Sequence, residues 1–497
     1  MQRSARLGLA STLLAGTVLL GSAAGADDLR SALASAYETN PTIEAARANQ
    51  RAVDAQVPIA RSAGLPSLGG TATYSEFLKK SANSFTSPDR ALDAQLNLSV
   101  PVYSGGAVRN SVRAAEVRVD AGREDLRATE SGLFAQVVGA YLDVIRDSAI
   151  VGLNRNNVQV LDVNLTATRD RFEIGDLTRT DVAQSQARLA QARGDLRNAE
   201  ATLAGSRETY VRLVGRPPVD LQPPPPLPNM PASAEEAVST ALESNPDLAA
   251  ARQRSKAAGY DTRVAGAGRL PKVSVFTGAD YTDYFDTLGG VAGVLPSQRQ
   301  TTAQAGVRAT IPLFQGGLPA AQERQAQARE GATLEQEIGT EREVIAAVRT
   351  YYQQWKAANA VIVSSQSAVD AASLSLEGVR AENSVGNRTI LDILNAEQEL
   401  LNAQVQLVRA RRNAYVTGFS LLAAMGKAEA RDLGIAGGAL YDPTVNYRRV
   451  RNNIWDWAHD PAPRAQSTRT VDTPAQDGSI PPDPSAAPGV PMPKTGG

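Results

Sequence analysis

The sequence predicts a mainly α-helical chain that also lends strands to a membrane β-barrel, with long coiled-coil helical hairpins continuing that barrel as an α-barrel. Three observations lead there. The chain is written twice. Apolar residues recur every seven positions over stretches far longer than a globular helix. Short, strictly alternating segments with clustered aromatics stand between those stretches.

The first residues read as a secretory leader. Arg3 and Arg6 precede an apolar run from Leu7 to Leu20, and Ala24-Gly25-Ala26 is a small-x-small cleavage site. Residues 1–26 are therefore expected to be removed, leaving Asp27 first. The run falls short of the ~20 residues a spanning helix needs. The 497 residues include no cysteine, so neither a disulfide framework nor lipid attachment at a mature N-terminal cysteine is expected. The formal net charge of −1 becomes −3 without Arg3 and Arg6, a balance that gives no sign of nucleic-acid binding. The single histidine, His459, argues against a histidine metal site. No later segment approaches ~20 apolar residues, so a membrane crossing has to be a closed β-barrel.

The internal repeat sets the organisation. Ala36-Tyr37-Glu38-Thr39-Asn40-Pro41 returns as Ala241-Leu242-Glu243-Ser244-Asn245-Pro246, 205 residues on. Val100-Pro101-Val102-Tyr103-Ser104-Gly105-Gly106 returns as Ile311-Pro312-Leu313-Phe314-Gln315-Gly316-Gly317, 211 residues on, and Val214-Gly215 returns as Met425-Gly426. Repeat one is assigned to 27–215 and repeat two to 234–426, joined by a proline-rich linker at 216–233. Residues 427–460 follow the second repeat, and 461–497, rich in Pro, Ser, Ala and Gly, are expected to be disordered.

Each repeat opens with an amphipathic helix (Leu29, Leu33, Tyr37, Ile43; then Val238, Leu242, Leu248), broken or restarted at Asn40-Pro41 and Asn245-Pro246 because a residue before proline avoids helical geometry. Two strands come next. Leu92, Ala94, Leu96, Leu98, Val100 and Val102 share one face, and Asp93, Gln95, Asn97 and Ser99 the other; Ala303 to Ile311 repeat the pattern. Weaker alternation surrounds Leu68–Tyr74 and Val273–Tyr281. An ordinary half-buried sheet alternates too. Aromatic placement shifts the balance toward the barrel. Of 21 Phe and Tyr residues, nine (Tyr74, Phe77, Phe85, Tyr103, Phe276, Tyr281, Tyr284, Phe285, Phe314) fall in these stretches, as the girdles of a membrane barrel require.

Long helices complete each repeat. Val137, Val144, Val151, Val158, Leu165 and Phe172 form one seven-residue seam, copied at Val348, Trp355, Ile362, Val369, Leu376 and Asn383. Val182, Leu189, Leu196, Leu203 and Tyr210 form a second, copied at Ile393, Leu400, Leu407, Ala414 and Leu421. Such a period predicts helices supercoiled on neighbours. Gly175 and Gly386 stand between the seams as helix-ending tips. The helix from Gly106 to Phe172 would be about 100 Å long, enough to span much of the periplasm.

Four strands cannot close a barrel, whose smallest membrane forms have about eight. Two chains would supply eight strands and three would supply twelve, and the sequence does not choose. Here a resemblance adds information. The duplicated helix–hairpin–helix plan, the Pro-x-aromatic-x-Gly-Gly strand exits and the tip Val385-Gly386-Asn387-Arg388-Thr389-Ile390-Leu391-Asp392-Ile393-Leu394-Asn395-Ala396 resemble the TolC-type outer-membrane efflux and secretion channel family over roughly residues 28–457. The resemblance implies a homotrimer: a twelve-stranded barrel in outer-membrane lipid, a helical barrel through the periplasm, and a mixed equatorial belt drawn from the 216–233 linker and residues 427–460. It also implies docking on a periplasmic adaptor (membrane fusion) protein and an inner-membrane ABC or proton-driven transporter. The tips at Gly175 and Gly386 would form the periplasmic entrance. Asp392 matches the family position whose carboxylate rings the constriction, while Asn395 replaces a second acid. Arg388 matches a residue that links neighbouring hairpins in the closed state, with Thr180 and Asp181 at its partners' positions. Asn383 departs from the aromatic common there.

Export through such a channel, by type I protein secretion or multidrug efflux, is the expected function. Two rival functions belong to other classes. A periplasmic coiled-coil tether explains the heptads but not the amphipathic strands. A hydrolase finds no support, since no nucleophile elbow, metal motif or phosphate loop is present. No catalytic residue, cofactor or metal is expected.

Overall fold

The computed structural model describes residues 27–80, 87–289, 296–435 and 440–480. The leader at 1–26, Phe85 and the tail beyond 480 lie outside the described residues. Two successions of the same elements run through the chain. Helices α1 (Leu29–Thr39), α2 (Pro41–Asp54) and α3 (Gln56–Ser62) lead into strands β1 (Ser67–Glu76) and β2 (Arg90–Tyr103). Helices α4 (Ala107–Glu173) and α5 (Arg179–Val214) follow. The second copy comprises α6 (Ala234–Ser244), α7 (Pro246–Gly266), β3 (Lys272–Asp283), β4 (Arg299–Thr310), α8 (Leu318–Ser384) and α9 (Ile390–Ala424). A short helix, α10 (Thr444–Val450), comes last. The two long helices have 67 residues each, about 100 Å of rise.

The Asn-Pro pairs do the same work in both copies. Asn40 Oδ1 accepts from the Thr42 backbone N–H at 2.8 Å, and Asn245 Oδ1 accepts from that of Leu248 at 3.0 Å, so each caps a helix whose first residue is proline. Each side-chain amide then donates backwards, Asn40 to the Leu213 carbonyl and Asn245 to the Ala424 carbonyl, both at 2.8 Å. One residue type thus restarts a helix and ties it to the last turn of a long hairpin.

The four strands form an antiparallel meander in the order β1-β2-β3-β4. Directly opposed residues point to the same face. The register pairs Leu68 with Leu98, Ala72 with Ala94, Tyr74 with Leu92, Leu96 with Ala279 and Val275 with Val307, so one face carries an apolar band, interrupted at Thr277 and ended by Asp283 and Arg299. The other carries Thr71, Thr73, Asp93, Gln95, Asp280, Thr282, Gln304 and Arg308. Hydrogen bonds cross it from Gln95 to Asp280 (2.7 Å) and from Thr282 to Asp93 (2.8 Å). The weak alternation of β3 has its cause on the neighbouring strand. Phe276 sits on the polar face, its ring lying over Gly306 and beneath the Arg308 guanidinium at 4.8 Å.

The core lies around the middle of α4, where the shorter helices α5 and α9 end. Phe134, Val137, Tyr141 and Val151 of α4 pack with Leu29 and Leu33 of α1, Leu203 and Tyr210 of α5, and Phe419 and Leu422 of α9. Tyr141 Oη donates to the Gln222 carbonyl at 2.6 Å and fixes the linker against this core. Burial raises the phenol pKa values of both Tyr141 and Tyr210. Truncating the fully buried Phe134 to alanine is expected to cost about 3–5 kcal/mol. Thermal unfolding of the detergent-solubilised protein measures the loss.

Residues 461–480, expected to be disordered, carry no helix or strand but are laid along α4 and α5. Arg207 donates to the Asp477 carbonyl at 2.6 Å, the Gln476 N–H donates to Glu208 at 2.8 Å, and Arg155 donates to the Ile480 carbonyl at 3.1 Å. A proline-rich composition forbids regular structure, yet an extended strap still offers its carbonyls to arginines on a helix face.

Candidate functional site at the helical hairpin tips

The two tips are closed by one construction. Gly386 adopts φ +83°; its N–H donates to the Asn383 carbonyl at 3.0 Å, and that of Asn387 donates to the Glu382 carbonyl at 2.9 Å. Gly175 adopts φ +85°, with the same bonds from Gly175 to Phe172 (3.0 Å) and Asp176 to Arg171 (2.9 Å). Only glycine takes this left-handed conformation without steric cost, so each long helix stops there.

The next helix of each pair begins with a capping box. Asp392 Oδ2 accepts from the Thr389 N–H (2.9 Å) and hydroxyl (2.8 Å), while the Asp392 N–H donates to Thr389 Oγ1 at 3.3 Å. Asp181 and Thr178 repeat this, with accepted bonds of 2.9 and 2.7 Å. The consequence is electrostatic. The Thr389 N–H and then its hydroxyl hold the Asp392 carboxyl below the ordinary carboxylate range. The Thr178 hydroxyl and then its N–H do the same for Asp181. Both side chains are therefore anions at neutral pH.

Arg388 donates from Nε to Glu382 Oε2 at 2.6 Å on its own hairpin, and this bond raises its pKa. Within the chain Arg388 does not meet Thr180 or Asp181, and Thr180 stands exposed beside the capped Asp181. That bond uses Nε, and the Arg388 side chain stays half exposed. Asn383, where the first copy has Phe172, donates to the Arg388 carbonyl at 2.7 Å and braces the tip internally.

The two hairpins are fastened together just above the tips. Leu161, Leu165, Leu189, Ala192 and Leu394 form a shared apolar cluster. Asn395 Oδ1 accepts from Arg188 of α5 at 2.9 Å. Sequence reasoning missed a second fastening. Glu397, only 6% exposed, accepts from Asn164 of α4 at 2.8 Å and from Arg380 of α8 at 3.0 Å. A signal existed, because the counterpart of Glu397 in the first copy is the exposed Gln186, a break in the repeat at a buried position.

This arrangement binds and orients charge, and among the described residues no cluster of His, Cys, Asp or Glu could hold a metal ion. The family model described as outer membrane efflux protein matches residues 32–216 and 237–427, the two copies of the repeat. The outer membrane efflux protein BepC of Brucella suis biovar 1 is 34% identical over 444 residues, covering 89% of this chain and 94% of that protein. The outer membrane protein TolC of Vibrio cholerae is 27% identical, covering 83% and 94%. The CmeC outer membrane channel of Campylobacter jejuni shares the fold with a TM-score of 0.72 at 18% identity, over 85% of this chain and 89% of that one. A duplicated chain of barrel strands and hundred-ångström helices, matched along both copies, belongs to the outer membrane efflux protein family: non-enzymatic channel tunnels that span the outer membrane and reach into the periplasm.

Proposed function

We propose that three copies of this chain form a passive export conduit whose periplasmic mouth is gated by the hairpin tips. An inner-membrane transporter, joined through a periplasmic adaptor, would deliver the exported protein or small molecule. The observation that carries the assembly is the open sheet. β1 and β4 each have one unpaired edge, while one face carries an apolar band that ends at the Asp283–Arg299 ion pair and the other is mostly polar. An exposed strand edge is a template for another strand, and a lipid-embedded sheet must close completely. Pairing β4 of one copy with β1 of the next closes the ring, and three copies supply twelve strands. Val361, Val363 and Leu374 on α8 are also exposed, and a neighbouring hairpin would cover them.

The chain lacks cysteine, so the test is direct. A cysteine replacing Thr71 on β1 is combined with single cysteines walked from Thr301 to Val307 on β4. Oxidation is expected to give a covalent ladder that stops at three chains. A ladder stopping at two would replace the trimer by an eight-stranded dimer, and monomers at every position would sink the closure.

At the mouth, three Asp392 carboxylates would form an anionic ring, and the free edge of each Arg388 guanidinium would reach a neighbouring hairpin at Thr180 and Asp181. Arg388→Ser is expected to favour the open state by up to about fivefold per link, the scale of an exposed ion pair. Single-channel conductance in planar bilayers should rise. Wild-type conductance in the variant would remove Arg388 from the lock.

A further inference from the structure

Two of the chain's three tryptophans, Trp455 and Trp457, lie together after α10, where with Ile454 they are 69, 79 and 72% exposed. Monomeric surfaces seldom display adjacent large apolar side chains without a partner. Their position points to one. Tyr447 packs on Val57, Ala115 and Val119, where α3 meets α4. From there the chain climbs toward the barrel. Asn452 accepts from Arg61 Nη1 at 2.6 Å, and it shares a groove with Arg109 in the first turn of α4. Arg61 is six residues before β1 begins, and α4 starts four residues after β2 ends. The chain then turns back, since Arg449 closes the base of the excursion on Asp460 at 2.9 Å. The tryptophan apex thus lies at the foot of the barrel. At the same end the strand exits leave Tyr103, Leu313 and Phe314 exposed at 50, 92 and 89%.

We propose that the 452–458 apex is an interfacial anchor that seats Trp455 and Trp457 in the periplasm-facing phospholipid leaflet around the barrel. Tryptophan prefers this zone because its ring is apolar and its indole N–H stays hydrated. The apex extends the apolar band of the strands, so one lipid surface covers both. The charge fits as well. From Tyr447 to Asp460 three arginines face two aspartates, a net positive balance suited to phosphate headgroups. Facing outward, three copies of the loop would ring the barrel's foot and fix its depth.

The test uses the full-length protein carrying Trp355→Phe, which leaves only the two apex tryptophans as reporters. It is reconstituted into vesicles of phosphatidylcholine and phosphatidylglycerol brominated near the headgroup end of the acyl chains. Vesicles are floated, and only protein that migrates as heat-modifiable trimer is read, so failure of the barrel to insert is scored apart from failure of the anchor. Brominated lipid is expected to quench most of the emission, with aqueous iodide quenching little. The Trp455→Phe and Trp457→Phe variants should each remove part of the quenched signal. Strong iodide quenching with silent brominated lipid would place the apex in water or in the lumen and overturn the anchor. Protection from both quenchers would place it against protein and overturn it equally.

Discussion

Replacing Asp392 with alanine is expected to remove most of the pore's preference for cations over anions. Each copy would lose one fixed negative charge at the proposed constriction, so the proposed ring would disappear at once. Charged rings set selectivity because their potential acts where the ion has shed most of its water. Asn395, one turn further, is neutral and holds Arg188, so no second acid there replaces the first. Reversal potentials across a salt gradient in planar bilayers measure the effect. An unchanged permeability ratio would take Asp392 out of the constriction.

The same carboxylate makes a pH prediction whose sign follows from its cap. Bonds from Thr389 stabilise the ionised form and lower its pKa. Selectivity in the intact channel should therefore persist as the pH falls through the ordinary carboxylate range near ~4 and fade only below it. The capping contribution to stability has the same sign: present above the unfolded pKa, lost as pH falls through the lowered folded value. Mutual repulsion within a ring acts the other way, raising the pKa. Thr389→Ala removes the hydroxyl donor while keeping the ring, so the fade should move to higher pH in that variant. An identical pH profile would show that the cap does not set the charge.

Much of this architecture is legible in the sequence because its constraints are local. Asn40-Pro41 and Asn245-Pro246 announce helix restarts, since proline supplies the first turn and asparagine the cap. The glycines at 175 and 386 mark tips because no other residue takes their backbone angles freely. What escapes is non-local. The ring of Phe276 breaks the alternation of β3, and only its partners Gly306 and Arg308, on another strand, explain it. Glu397 reads as one more solvated acid until Asn164 and Arg380 are brought beside it from two other helices. The strap at 461–480 is invisible to periodicity because arginines on α4 and α5 hold it.

The largest loss of assembled protein is expected from Gly426→Ala. Gly215 and Gly426 are equivalent by sequence, each ending a hairpin with φ of +85° and +70°. Alanine at either site pays about 1–3 kcal/mol for the left-handed backbone. Their surroundings differ, however. A methyl group at 215 meets the hydroxyls of Thr39 and Thr468 at 3.0 and 2.9 Å, and those can rotate aside. At 426 it falls 2.2 Å from the Ser244 carbonyl oxygen, part of the backbone joining α6 to α7. That junction cannot yield without breaking the Asn245 bond to the Ala424 carbonyl. Gly426→Ala should therefore sharply reduce the yield of heat-resistant trimer, and Gly215→Ala should be milder. Equal yields would mean that the two copies carry equal load. Any trimer recovered from Gly426→Ala should also conduct more, because α9 then loses its upper fixing. That helix runs 35 residues, about 50 Å, from this junction to Asp392, and a rigid rod released at one end cannot hold a gate at the other.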